Sequence, residues 1–258
     1  MTAAIIEFLS GSDWNDVPFI VIGMAFHACQ DAGMKTVPPR TERRADALSK
    51  QRIVEAAIEI LDADGETALT FRALAARLAT GSGAIYWHVA DKGELLAAAT
   101  DEIVARVMTG IVPEAEPRAA IRAIALGVFD AIDAHPWVGA QLTREPWRPA
   151  LLLVFEGIGG RLQTLGVPER AQFDAASTLL SYVIGVGGQN AAHARMARDE
   201  ERTDRSAFLG EVADRWSALP APGYPFLRHV AAQMRDHDDR EQFLAGVDLI
   251  MAGIAAIQ

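Results

Sequence analysis

Apolar residues recur along this chain at spacings of three and four, and nowhere alternate with polar ones at a spacing of two. That pattern builds helices and gives no strand. Ile53, Ala56, Ala57, Ile60 and Leu61 predict an amphipathic helix running from Ser49 to a stop at Gly65. Thr70 has the side chain to N-cap a second helix, with Leu74, Ala75 and Leu78 on its buried side. A short break, "ATGSG", precedes a helix at about 83–88 that is too short to be stable alone. Asp91 and Glu94 have the spacing of an N-cap and its third helical residue, and so open a longer helix carrying Leu96, Ala99, Ile103 and Val107. Further helices follow around Ile121–Ile132, ended by His135-Pro136, and around Leu151–Leu162, ended by Gly166. A long one covers 168–197, and its centre, "STLLSYVIGVGG", is apolar nearly all round, which predicts burial on more than one side. Phe208, Val212 and Trp216 predict a short helix. Phe243, Val247, Ile250 and Ile254 repeat like a heptad seam. The expected fold is all-α.

Within this helical chain, "GSGAIYWHVADK" (81–92) sets three large rings side by side. Successive helical residues lie about 100° apart, so Tyr86, Trp87 and His88 cannot all enter one core. Ile85 and Val89 are the core residues of the stretch, and at least one ring faces outward. A capped helix, a tight turn of small residues and a short second helix, braced by the helix at 49–64, are the parts of a helix-turn-helix. In such a unit the second helix enters the DNA major groove with its N-terminal residues toward base edges. Gly81, Ser82, Gly83 and Ala84 at that end let the backbone approach closely.

Charge is distributed unevenly. The chain carries −10 overall, which excludes a globally basic nucleic-acid binder. From Lys35 to Arg52, however, six basic residues face two acidic ones. A basic arm on an acidic body suits a protein that meets phosphate with one end only. Residues 1–33 read differently again: acidic, mildly apolar, and holding Cys29, the chain's one cysteine. Two readings of them stay open. Met34 is the true start and 1–33 are upstream codons, or 1–33 form a real extension, such as a short helix. A single cysteine excludes an intrachain disulfide and fits a cytoplasmic protein. The longest apolar run, 17–29, is 13 residues, short of the roughly 20 that cross a bilayer.

The segment "LSKQRIVEAAIEILDADGETALTFRALAARLATGSGAIYWHVADKGELL" (48–96) closely resembles the DNA-binding domain of TetR-family transcriptional regulators. "YWHVADK" is especially similar to the tetracycline-repressor branch, as are "AHPWVG" (134–139) and "FLAGVDLIMAGI" (243–254) more loosely. The resemblance implies roles for individual residues. Arg72 reaches a base, with guanine the expected one. Gly83 and Ala84 make base or methyl contacts. Tyr86, Trp87 and His88 touch the phosphate backbone, Trp87 also a thymine methyl. Lys92 binds phosphate, and Thr70 both caps its helix and contacts phosphate. Phe71 and Ser82 belong to the same DNA-facing set. Two positions depart from the family's pattern. Ala79-Thr80 stands at the turn where Gly-Val is common, and Gly83 stands where proline is frequent, so the operator is expected to differ.

One such motif binds DNA weakly, and a two-fold dimer places two reading helices about 34 Å apart on a palindrome. The expected dimer contacts lie on the helices at 170–197 and 238–257: Gly185, Gly188, Phe243, Gly246, Val247, Ile250 and Ile254. The expected pocket for a small-molecule inducer lies between the helices of 115–200. Its candidate lining is Phe129, His135, Trp137, Trp147, Phe155, Tyr182, Gln189 and His193. The expected division is an N-terminal extension (1–33), a basic arm (34–48), a helix-turn-helix domain (49–95) and a ligand-binding and dimerisation domain (96–258). The function expected is that of a ligand-responsive regulator, a repressor in preference to an activator, with double-stranded operator DNA, a second copy and an inducer as partners. An all-α enzyme is the competing class. His135, His193, His229 and His237 form no i, i+4 metal pair, and there is no HExxH, catalytic triad pattern or phosphate loop. No metal or cofactor is expected.

Overall fold

The computed structural model describes residues 48–112, 116–144, 147–199 and 205–257. The N-terminal extension and all but the end of the basic arm lie outside them. Eleven α-helices and one 3₁₀ turn are present among the described residues. The first four are α1 (Lys50–Asp64), α2 (Phe71–Arg77), α3 (Ser82–Tyr86) and α4 (Lys92–Thr109). They are followed by α5 (Pro117–Ala134), α6 (Trp137–Leu142), α7 (Pro149–Thr164) and α8 (Glu169–Asp199). Last come α9 (Arg205–Ser217), α10 (Pro225–Val230), the 3₁₀ turn Ala231–Met234 and α11 (Asp239–Ala255). The architecture is all-α.

Side-chain caps set the helix starts. Ser49 accepts from Arg52 N, Thr70 from Ala73 N, Asp91 from Glu94 N and Asp238 from Glu241 N. Each satisfies a donor that has no partner within its helix. At the start of α4 the box closes from both sides. Glu94 turns back to accept Ala90 N–H at 2.8 Å and Lys50 Nζ at 2.9 Å. These two bonds, the backbone one first, hold its carboxyl below the usual range.

The turn after α2 is a Schellman ending: Thr80 N–H donates to Ala75 O, and Ala79 N–H to Ala76 O. The same bonds close α7 through Leu162 and Gln163, with Gly166 at φ 77° in the left-handed position. In α2 that position is held by Ala79 at φ 50°, where a Cβ is strained. Ala79→Gly should therefore raise stability by about 0.5–1 kcal/mol. Chemical denaturation checks this, and a destabilised glycine variant contradicts it.

α3 is shorter than its pattern predicts. It ends at Tyr86, and His88 N–H and Val89 N–H both turn back to Ile85 O. That tightening swings Val89 into the core beside Ile85, and both are buried.

Beyond α4, the helices α5, α7 and α8 pack on one another most extensively, with α6 and α11 against α8. One apolar core runs continuously from Ile53 in α1 to Ile254 in α11. α4 crosses the boundary expected at 95–96, and packs on α1 as well as on α5, α6 and α7. The centre of α8 differs from expectation. It buries Ala175, Leu179, Val183, Gly187 and Ala191 on one side, and leaves Thr178, Ser181, Gly185 and Gln189 exposed. Glycines make this segment read as apolar without supplying a side chain to bury.

The expected seam on α11 is corrected. Phe243, Val247 and Ile254 point into the chain's own core, and Ile250 is half-buried. Phe243 stacks between Phe129 at 4.3 Å and Tyr182 at 5.5 Å. Gly246 is glycine because Tyr182 lies against it: an added Cβ falls 1.9 Å from the tyrosine oxygen. Phe243, Gly246, Val247 and Ile254 are thus engaged within the chain and not free for a partner. The exposed residues of α11 include Arg240, Glu241, Gln242 and Asp248 as well as the apolar Ala245, Leu249, Ala252 and Gly253, with Leu249 74% exposed.

Candidate nucleic-acid interface

The helix-turn-helix is held from beneath by Ile53, Leu69, Leu74, Ile85, Val89 and Leu96, all fully buried or nearly so. Burying side chains of this size contributes about 1.5–3 kcal/mol each, so this scaffold is fixed. The polar and aromatic residues above it are unneeded for packing. Trp87 is 89% exposed and Tyr86 56% exposed. His88 is half-buried. None of the three rings enters the core.

Phe71 and Tyr86 stack face to face, with centroids 4.3 Å apart and planes 4° from parallel. This contact ties the N-terminus of α2 to the C-terminus of α3. Beside it, Arg72 is exposed and makes no hydrogen bond or ion pair among the described residues. Arg77, five residues on, is engaged by Glu59 at 2.6 Å. Ser82 and Gly83 are exposed and Ala84 is half-buried. Cβ atoms added at Gly81 and Gly83 would meet nothing, so no intrachain contact demands glycine there. Thr70 keeps its hydroxyl on the Ala73 N–H at 3.1 Å while itself exposed.

Lys92 is less free than the sequence implies. Its ammonium donates to the Glu66 carbonyl at 2.5 Å, which leaves two further N–H bonds to offer. With one phosphate contact still available, Lys92→Ala should weaken DNA binding equally on all sequences. The slope of log affinity against log salt should fall by about 0.9. A titration across salt concentrations measures it, and an unchanged slope contradicts the phosphate role.

The eight expected pocket residues have different surroundings in the single chain. Phe129 is buried in its stack on Phe243. Tyr182 leans on the same ring and donates to Phe243 O at 3.1 Å. Burial raises its phenol pKa. Phe155 is half-buried, edge-on to Phe173. Trp147 is 69% exposed, and Gln189 and His193 are exposed too. In a single chain these last three line no enclosed pocket, because each lies on an outer surface. His135 and Trp137 point elsewhere, and both bond Asp62 on α1. Nothing in the local sequence marks Asp62 or Glu66, since their partners lie about 75 residues away. Of the two glycines expected at a dimer contact on α8, Gly185 is exposed and Gly188 half-buried. An added Cβ at either position meets nothing.

Exposed rings, an arginine with no partner among the described residues, and small residues on a rigid two-helix scaffold define a helix-turn-helix protein. Comparison with known proteins carries the assignment further. Residues 53–99 match the bacterial regulatory proteins of the tetR family, and residues 113–257 match the tetracyclin repressor-like C-terminal domain. The chain belongs to the tetR family of bacterial regulatory proteins. It is similar to the transcriptional regulator SCO7222, a TetR from Streptomyces coelicolor. That structure is 50% identical, with a TM-score of 0.75 over 82% of this chain and 99% of the other. Tetracycline repressor protein class D of Escherichia coli is 29% identical over 80% of this chain and 88% of its own length. ActR of Streptomyces coelicolor, solved with actinorhodin, is 25% identical with a TM-score of 0.67, over 81% and 96% of the two chains. The chain is thus a transcriptional regulator, and the competing enzyme class falls away. No described helix is long and apolar enough to cross a membrane.

Proposed function

We propose that the chain is a cytoplasmic, dimeric repressor that binds a palindromic operator and leaves it when a small molecule binds. In this reading residues 49–95 are the DNA-binding domain, 34–48 a basic arm that follows the phosphates, and 96–258 the ligand-binding and dimerisation domain. The observation that carries it is the pairing of Trp87, nearly fully solvent-facing, with the unpartnered Arg72 on a buried scaffold. A tryptophan left in water, on the same two-helix scaffold as a guanidinium with no partner among the described residues, fits a surface made to be covered by a polyanion.

Arg72 reads a base. Gly83 and Ala84 let α3 approach the groove, Ser82 lies at its start, and Tyr86, Trp87, His88, Lys92 and Thr70 hold the phosphates. Phe71 fixes Tyr86 by stacking. The open space over Gly81 and Gly83 supports close approach of another molecule. For the dimer, the support is the exposed row Thr178, Ser181, Gly185 and Gln189 on α8, with Leu249, Ala252 and Gly253 on α11. Small residues there allow the four helices of two copies to approach closely.

The ligand is a largely apolar molecule with a few polar handles; that a small molecule is bound at all is supported by ActR, which was solved with actinorhodin. Its binding shifts the dimer between two states that differ in head spacing. A reporter gene behind the chain's own operator tests the reading. Removing the chain should raise transcription, and adding the inducer should do the same. A fall in transcription on removal indicates an activator instead.

A further inference from the structure

We propose that Asp62 is a positioning residue that fixes the reading helices at one orientation to the rest of the chain; this rests on the operator reading above. Asp62 lies in the last turn of α1, where the helix dipole opposes a negative charge. That turn holds no basic residue to offset it. The compensation comes from far along the sequence. A single carboxylate oxygen, Asp62 Oδ1, lies 2.8 Å from His135 Nδ1 and 2.8 Å from Trp137 Nε1. An indole nitrogen can only donate, and the carboxylate can only accept, so His135 presents a protonated Nδ1 and the oxygen accepts twice.

Both ends of this junction are rigid. His135 caps the C-terminus of α5 and Trp137 opens α6, where Trp137, Val138 and Leu142 are buried. On the other side, Ile53 of α1, Leu74 of α2 and Ile85 of α3 share one buried core. Four residues on, Glu66 repeats the link more loosely, its carboxylate 3.4 Å from Gln141 Nε2 and 3.5 Å from Arg144. The Glu66 carbonyl receives Lys92 at the start of α4.

Among the described residues, α4 packs extensively on both α1 and the later helices. A single joint of this kind lets two rigid groups swivel. A second joint set off its axis stops the swivel, and the Asp62 junction, with both contacts at 2.8 Å against 3.4 and 3.5 Å for the neighbouring Glu66 link, is the tighter part of that second joint. Swivel decides DNA choice because two heads must meet two half-sites in fixed helical phase. Each base pair inserted between half-sites turns one of them by about 35° against the other.

The test uses the full chain and fluorescence anisotropy. The DNAs are a palindrome obtained by selection, the same palindrome with one central base pair added or removed, and a single half-site. Trp137→Phe removes a donor and keeps the ring, Asp62→Leu removes the acceptor, and Asp62→Asn keeps an acceptor oxygen. The wild type should lose about tenfold or more on a one-base-pair change, and Trp137→Phe and Asp62→Leu about threefold or less. Asp62→Asn should lie between them. Half-site affinity should stay within about twofold throughout, which also shows that each variant's reading helices are folded. Variants that keep the wild-type spacing penalty overturn the proposal alone. Half-site affinity that falls with palindrome affinity also overturns it, because Asp62 then only supports folding. A wild type that binds no palindrome overturns the operator reading, and the proposal with it.

Discussion

Gly246→Ala should lower the stability of the fold by about 1–3 kcal/mol, toward the upper end of that range. The new Cβ would stand 1.9 Å from the Tyr182 oxygen and 2.3 Å from its Cζ. The ring cannot retreat easily. It stacks on Phe243, its hydroxyl donates to Phe243 O, and Phe243 is itself held against Phe129. Relief therefore requires moving α8 against α11, and the core does not deform continuously. The double variant distinguishes this cause from a lost interface. With Tyr182→Ala already present, Gly246→Ala should cost little by comparison. Strictly additive losses in denaturant melts contradict the packing account.

The second large effect falls on DNA choice. If Arg72 forks onto a guanine, Arg72→Ala should remove about 1–3 kcal/mol of discrimination at one base pair in each half-site. Stability should barely change, because Arg72 is exposed and holds nothing among the described residues. Arg77→Ala is the control: its guanidinium is engaged by Glu59 and should leave discrimination intact. Competition binding against single-base operator variants reads both. Unchanged discrimination in Arg72→Ala rejects the base-reading role.

Local chemistry made much of the fold legible. Caps at Ser49, Thr70 and Asp91, and stops at Gly65 and Gly166, act within a few residues, so their signals sit in short stretches of sequence. The turn at Ala79-Thr80 was visible as a departure from the family, but not its left-handed backbone. Spacing failed where the question was which partner a face meets. Phe243, Val247 and Ile254 have the period of an interface between copies, and the same period serves a helix buried in its own chain. Trp147 illustrates the reverse, a large ring expected to line a pocket that the fold of the single chain leaves on an outer surface. The Asp62 junction was invisible for a third reason. Its members are separated by about 75 residues, and no local rule brings a carboxylate on α1 to an indole on α6.

The central claim is that two copies of residues 71–92 read a two-fold DNA sequence. Selection of double-stranded DNA from a random pool by the full chain tests it most directly. The expected result is enrichment of an inverted repeat whose half-sites are centred about one helical turn, 34–36 Å, apart. Trp87→Ala should abolish that enrichment. A pool that stays random, or that yields only unrepeated sequences indifferent to Trp87, contradicts it.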